Sequence, residues 1–410
     1  MPAQLRYGAD SSVCLELRDG VLLAECGAPQ ASPLDDPASA TAQALAEPLD
    51  YPPLTQSMTP ADRVVLPLGQ GLPHADEIVA ATVRSLVEAG VQPDGVTVLR
   101  TGPDAAAGVG DPRPWLPREV KAQISLVTHE PARRGELAYL ASTEAGEPIL
   151  LNRAITDADV VLPIGRFQSA SAAGYYGIHS AVFPTFSDER TLQRFRSPTA
   201  LDARGRPKRK PRKVVDEVGW LLGAILTVQV IPGPGDRILH VLAGRTAAVR
   251  QRATELYEAA WRCSAPRRAS LVVAAVEGGY AQQTWDAVGR ALAAAGSLVE
   301  EGGAIAVCCD LADEPGPAVR QLAATQLRAE AMRWIRKERP VDALSATLLA
   351  QALDRAAVYL LSRLDPSLVE DLEIAPIAQA DELVRLAGRH DSCILLANAP
   401  HAMVSLEKDG

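Results

Sequence analysis

Aromatic residues are scarce in this chain: Phe, Trp and Tyr supply 4% of its 410 residues. The core must therefore be built from Ala, Val and Leu, and abundant Ala also favours helix. Hydrophobic residues reach 47% and charged ones 22%, the balance of a globular protein with more than one domain. No apolar run approaches the ~18 residues of a membrane span. The opening MPAQLRYGADSS lacks the basic and apolar regions of a signal peptide. Positive charge is in deficit, with 41 Lys and Arg against 50 Asp and Glu and a formal net charge of −9. That balance argues against a general nucleic-acid or membrane-surface binder. The six cysteines (Cys14, Cys26, Cys263, Cys308, Cys309 and Cys393) are scattered, with no C-x-x-C pair. They point to a reduced, cytoplasmic protein. Cys308 and Cys309 sit in an apolar run and read as buried filler. A nucleophile elbow and a Walker loop are missing. The Gly69/Gly71 and Gly108/Gly110 pairs do not fit a dinucleotide fingerprint, which disfavours a nicotinamide enzyme.

What is present is a repeated strand–helix–strand order. Val13 to Cys26 holds two apolar runs joined by R-D-G, a hairpin signal. Arg63 to Leu68 reads as a buried strand, Ala75 to Ala89 as a helix stopped by Gly90, and Val96 to Arg100 as the next strand. Further strands are expected at Ile124 to Thr128, Pro148 to Asn152 and Ala158 to Gly165, with a short helix at Gly135 to Leu140. The basic run Lys208 to Lys213 reads as a solvated loop before a helix, with a phosphate-rich partner as the other use. Ile225 to Ile231 and Arg237 to Ala243 form a hairpin across P-G-P-G-D, and Thr246 to Arg262 is a bridging helix. A second set follows: strand Ser270 to Val276, helix Trp285 to Ala295, strand Gly303 to Cys309, long helices Val319 to Arg336 and Ser345 to Ser362, and strand Cys393 to Leu396. The expected fold is α/β, with two Rossmann-like domains whose parallel sheets face a central cleft. The division falls at 1–255, including the N-terminal hairpin and bridging helix, and 256–410. Ligands in such sheets sit at the carboxyl ends of the strands.

Several stretches carry a resemblance. Ala38 to Val65 runs from an Ala-Leu helix through E-P-L and Y-P-P-L into P-A-D-R-V-V; Glu147 to Ile164 reads EPILLNRAITDADVVLPI; Leu239 to Ala247 reads LHVLAGRTA; Gly278 to Tyr280 reads GGY. In this order they resemble the nickel-pincer lactate racemase family. The resemblance implies a nickel ion held by a pincer nucleotide that is tethered to a lysine and by a histidine, with two further histidines exchanging a proton. The matching tether loop is GYYGIHSAVFPT, Gly174 to Thr185, and Ser180 falls where the lysine belongs. Gly69 and Leu72 fall at nucleotide-binding Asp and Arg positions, and Asp104, Ser169 and Ala170 in the proton-carrier segments. Arg196 falls near the nickel-ligand histidine, and Trp285, Asp286 and Gly289 match Y-Q-x-x-K. Covalent attachment of the nucleotide is therefore not expected, which leaves the cofactor unknown.

Two functions remain open. One is a racemase- or epimerase-type isomerase of the superfamily, acting on a hydroxy acid with altered or absent nickel-pincer chemistry. The other is a catalytically silent protein that binds a small anion or a partner. The expected catalytic candidates are His129, His179 and Asp104. Gln70, His74, Arg166, Gln168, Tyr175, Tyr176 and Trp285 are the expected substrate- or anion-binding residues. A strand-end His such as His129 can face a cleft or simply cap a loop. His74 opens a helix, a terminus that favours anions. Arg166 and Gln168 suit a carboxylate or a solvated loop, and the two tyrosines suit a pocket wall or the core. His74, His129 and His179 have no local metal-ligand spacing, so no metal site is assigned. His240, His390 and His401 read as peripheral or structural. A cleft made locally positive by Arg166 would take a small anionic ligand.

Overall fold

The computed structural model describes residues 2–201, 208–325 and 327–407. In the first half, parallel strands lie in the order Ser125–His129, Val96–Thr101, Val64–Pro67 and Val160–Val161. Val64, Val65, Leu66 and Val98 are sequestered from solvent, as in a sheet covered on both faces. Helix Ala75–Glu88 covers one face with Ile78, Val79, Val83 and Leu86, one stripe of the 3.6-residue period. Gly90, at φ +103°, ends the run. A bridge between Leu68 and Ile164 connects this sheet to a second, in which Ile164–Arg166 pairs with Leu226–Pro232 and that strand with Ile238–Arg245. The turn between the last two strands is the expected P-G-P-G-D.

The other half is built on six parallel strands in the order Ala375–Ile377, Ala357–Leu361, Val299–Cys308, Ala269–Ala275, Cys393–Leu396 and Leu22–Cys26. Helices Trp285–Leu298 and Ala343–Leu353 pack together over one face. Small residues let them approach: a Cβ at Gly289 would lie 3.4 Å from the Ser345 Cα. The opposite face is covered by strands Pro2–Tyr7 and Ser11–Glu16 and by helix Ala380–Ala387. Helix Thr246–Trp261 joins the halves. Its Trp261 and Tyr257 are buried, with Trp261 Nε1 donating to Pro232 O (3.1 Å) and Tyr257 Oη to His401 O (2.8 Å).

The structure departs from several expectations. The R-D-G turn does not close a hairpin. Ser11–Glu16 pairs backward with Pro2–Tyr7, and Leu22–Cys26 instead becomes the edge strand of the C-terminal sheet. The N-terminal hairpin thus packs with the C-terminal half, not with the domain expected at 1–255. Leu137–Ser142 is a strand, antiparallel to Pro148–Asn152, rather than a helix. Pro163 cannot donate to a ladder, and the expected strand 158–165 is broken there. The basic run opens helix Arg209–Leu221 instead of preceding it. The two expected long helices also break: Pro317–Ala324 is followed by Arg328–Glu338, and Ala343–Leu353 by strand Ala357–Leu361. Two of the scattered cysteines meet: Cys26 and Cys263 form a disulfide across a Cα–Cα distance of 5.6 Å. Cys308 and Cys309 are buried as expected. Among the described residues no helix is long and apolar enough to cross a membrane.

Two histidines belong to the core of the first half. His129 ends its strand with Nε2 against Ser187 O (2.9 Å) and Nδ1 against Asn152 Nδ2 (3.2 Å), its ring edge-on to Phe186. The Asn152 amide donates to Nδ1, so the proton of the neutral ring sits on Nε2. His179 packs against Gly219, where a Cβ would fall 2.3 Å from its ring. Burial pushes the His179 pKa down from 6.5 to about 4 and lowers that of His129 as well. The unfolded chain takes up these protons near pH ~6.5. The folded protein does so for His179 only near pH 4. Stability should thus be complete above pH ~6.5 and fall as pH drops toward ~4. Thermal melts across that window should show the decline, and His179→Asn, although less stable at neutral pH, should show a shallower one. A melting temperature independent of pH across the window would contradict buried neutral histidines.

Candidate functional site

The two halves enclose a cleft of about 1020 Å³. Its walls are the loops that leave the carboxyl ends of parallel strands. Gly69 to Glu77 follows Val64–Pro67, Pro103 and Asp104 follow Val96–Thr101, and Gln168 follows Ile164–Arg166. From the facing sheet, Val276 to Gln282 follows Ala269–Ala275, Asp313 follows Val299–Cys308, and Asn398 to His401 follows Cys393–Leu396. A strand's carboxyl end is where side chains can converge without breaking a ladder, so the placement follows from the topology.

The floor is backbone-thin. A Cβ at Gly69 would lie 3.3 Å from Gly165 Cα, and one at Gly165 would lie 3.1 Å from Gln229 Nε2. Ser180 and Ala181 complete the floor, and the Ser180 hydroxyl is spent on Gly177 O. Helix Trp285–Leu298 presents Asp286, Ala287 and Arg290 to the cleft. Arg290 reaches across the joint, donating through Nη1 to Gln168 Oε1 and pairing through Nη2 with Asp286 Oδ2 at 2.7 Å. Its Nε is buried without a partner among the described residues. Arg166, from the other half, makes no hydrogen bond or ion pair among the described residues, and its Nε is likewise buried and unpaired. Burial first, and then the Arg290 charge, lower the Arg166 pKa to about 10. His401 faces both arginines. Burial, reinforced by the two guanidinium charges, pushes its pKa down to about 3, and its ring lies 5.2 Å from that of Trp261. Two like charges held together around a neutral imidazole form a corner short of negative charge.

Of the expected site residues, Gln70, His74, Asp104, Arg166, Gln168 and Tyr175 line this cleft. His74 takes a left-handed backbone (φ 51°) and directs Nδ1 to Glu77 at 3.1 Å. Asp104 accepts from Thr101 Oγ1 at 2.6 Å, and burial raises its pKa against that bond. His129, His179, Tyr176 and Trp285 do not line it. The first two are the core histidines described above. Tyr176 donates to Phe195 O (2.6 Å), and Trp285 Nε1 donates to Asp313 O (3.0 Å) from within the apolar core. The cleft is also not positive throughout. Asp76, Glu77, Asp104, Asp236, Glu277, Asp286 and Asp313 line it against Arg166 and Arg290, so positive charge is confined to one corner.

Sequence reasoning missed Arg290, His401 and Asn398. The matching of Y-Q-x-x-K placed the cationic position at Gly289, but that residue faces helix Ala343–Leu353, and Arg290 is the one that turns to the cleft. His401 and Asn398 follow the last strand of the large sheet, and the carboxyl-end rule, applied there, would have found them. Asn398 (φ 45°) spans the joint: its Oδ1 accepts from Gly235 N (3.1 Å), and its Nδ2 donates to Glu277 Oε2 (3.0 Å) and Gly27 O (3.2 Å).

A family model described as the lactate racemase N-terminal domain matches residues 7–202. The lactate racemase apoprotein of Thermoanaerobacterium thermosaccharolyticum has the same fold, with a TM-score of 0.80, 13% identity, and coverage of 99% of this chain and 100% of that one. A Thermotoga maritima protein is also similar, with a TM-score of 0.65, 12% identity, and coverage of 92% and 99%. No curated protein matches the sequence. The chain thus has the lactate racemase fold from end to end, and its residues 7–202 match the N-terminal domain of that family.

Proposed function

We propose that the protein binds a small carboxylate, of the hydroxy-acid class that the family resemblance implies, at the Arg166–Arg290 corner, without a lysine-tethered nickel-pincer nucleotide. The observation that carries this reading is the pair of guanidinium groups from opposite halves. They lie close enough for one to depress the pKa of the other, and among the described residues Asp286 is the carboxylate that pairs with either. A carboxylate between them would satisfy both unpaired Nε groups and neutralise the second charge. His401, kept neutral, stands beside it as a donor or acceptor for a hydroxyl.

The residues do not fit the family's cofactor. No lysine lines the cleft among the described residues, and Ser180, at the tether position, has its hydroxyl bonded to the backbone. Neither a hydroxyl nor the glycine floor offers the tether or the phosphate-binding side chains that the resemblance implies. No cluster of three His, Cys, Asp or Glu residues suited to a metal ion occurs among the described residues.

A second reading, proton transfer on a bound hydroxy acid, is favoured by one observation. Asp104, whose burial raises its pKa, and His401, held neutral, line the same cleft. An acid and a base with shifted pKa values are what such chemistry needs.

Three measurements bear on these readings. Intact-protein mass spectrometry after co-expression with cofactor-making proteins should show the unmodified chain; an adduct of nucleotide mass would overturn the absence of a tether. Calorimetric titration with L-lactate, and with lactamide as the uncharged control, should show binding of the acid alone. Arg166→Gln and Arg290→Gln should each weaken it by about tenfold or more, the loss of a charge-assisted hydrogen bond. Binding unchanged in both variants would remove the proposed site. Assays of D- and L-lactate interconversion should stay at background; a rate abolished by Asp104→Asn or His401→Gln would establish the second reading instead.

A further inference from the structure

A smaller cavity of about 340 Å³ lies behind the cleft, between the loop that follows strand Ile164–Arg166 and helices Arg209–Leu221 and Thr246–Trp261. Its apolar wall is made by Phe167, Tyr176, Tyr257 and Met403. Phe167 stands edge-on to Tyr175 and Tyr257, with ring centroids 6.0 and 5.9 Å apart, which keeps that wall rigid. Two polar groups on the lining lack partners. Arg212 has both Nε and Nη2 buried and unpaired among the described residues. Tyr175 is 8% exposed, and its hydroxyl lies near the Gln168 backbone without a hydrogen bond of normal geometry among the described residues.

The identity of the two idle nitrogens is informative. Nε and Nη2 lie on one edge of the guanidinium plane and donate in parallel, matching the two oxygens of a carboxylate. This chain uses that edge twice on its own carboxylates. Arg63 grips Asp159 with Nε and Nη2 both at 3.0 Å, and Arg113 grips Asp111 at 2.8 and 2.6 Å. At Arg212 the same edge is open. The acids on the cavity wall are already engaged: Asp216 pairs with Arg250 at 2.7 Å and Glu258 with Arg262. Burial lowers the Arg212 pKa, opposed by the oxygens of Tyr175, Asp216 and Tyr176, so those oxygens lie near its charge. A buried, charged fork without an acceptor is costly, and each unmade bond forfeits the stabilisation of a charged donor.

We infer that this second cavity is a binding site for a monocarboxylate with an apolar, ring-sized body, held by the Arg212 fork and the Tyr175 hydroxyl. A monoanion fits better than a phosphate. Arg250 is neutralised by Asp216 and Glu258 by Arg262, which leaves one uncompensated guanidinium on the wall, a charge that matches a monoanion and not a dianion. The aromatic wall and Met403 favour a flat apolar body over a polyol. Water could fill the space, but Phe167, Tyr257 and Met403 offer its molecules little to bond on that side. The site is separate from the Arg166–Arg290 corner, although Gln168, Tyr175 and Ile178 form a wall common to the two cavities.

Phenylacetate is a suitable probe, with phenylacetamide and inorganic phosphate as comparators, in calorimetric titrations of the full chain. Saturable binding of phenylacetate, with the amide and phosphate at least about tenfold weaker, is expected. Arg212→Gln should weaken it by about tenfold or more, and Arg212→Lys should also weaken it, because a lysine keeps the charge but loses the fork. Arg166→Gln should leave it unchanged, which separates this site from the corner proposed for hydroxy acids. Circular dichroism melts of each variant confirm folding. A variant that fails to fold is replaced by Met403→Trp, which fills the cavity and should abolish binding. No saturable binding to the wild type, equal binding of the amide, or binding unaffected by Arg212→Lys and Met403→Trp would overturn the inference.

Discussion

The seating of one helix, Thr246–Trp261, governs how the two halves meet. Its last turns bury Tyr257 and Trp261, and both are anchored by hydrogen bonds rather than by apolar contact alone. Trp261 Nε1 donates to the end of a strand in the first half, and Tyr257 Oη to the His401 carbonyl in the second. The ring of His401 then rests near that of Trp261. These contacts span the joint, so the strand ends on either side keep a fixed separation. Asn398 adds a second clasp between Gly235, Gly27 and Glu277. The distance between Arg166 and Arg290, on which the cleft's electrostatics depend, is set by packing well away from the guanidinium groups themselves.

The strand–helix–strand order was legible in the sequence because buried parallel strands leave continuous Val, Leu and Ala runs, and their helices leave a 3.6-residue stripe. Val64–Pro67, Val96–Thr101, Ala269–Ala275 and Cys393–Leu396 were all readable for that reason. Partnership was not. Ser11–Glu16 and Leu22–Cys26 look like hairpin arms, but Leu22–Cys26 satisfies its backbone against Cys393–Leu396, a pairing no local signal can announce. Helix Ala343–Leu353 and strand Ala357–Leu361 merge into one apolar stretch that periodicity alone does not divide. The broken strand at Pro163 is the opposite case, since its cause was visible in the residue.

The site divides along the same line. Residues that directly follow recognised strands, Gln70, Asp104, Arg166 and Gln168, fall on the cleft wall, because chain direction alone carries them there. His129 and His179 were chosen by residue type. An imidazole at a strand end can turn inward as easily as outward, and Asn152 and Ser187 give His129 a better-satisfied position inside. A one-residue shift on a helix rotates a side chain by about 100°. That rotation is the difference between Gly289, wedged against a neighbouring helix, and Arg290, facing the cleft.

The sixth strand of the large sheet carries a consequence for how the chain acquires its form. Leu22–Cys26 leaves the ribosome long before Cys393–Leu396, the strand it must join. Closing that pair is a contact of very high sequence separation, and such contacts form slowly. Through most of synthesis the early strand has exposed backbone donors and acceptors and an apolar face without its native cover. The Pro2–Tyr7 and Ser11–Glu16 hairpin is in the same position, since its core partners are Leu271, Val273, Ala306 and Leu395. The nascent chain therefore carries an unmet β-edge for hundreds of residues, a period in which a holding chaperone or an early-formed first half would decide between folding and aggregation.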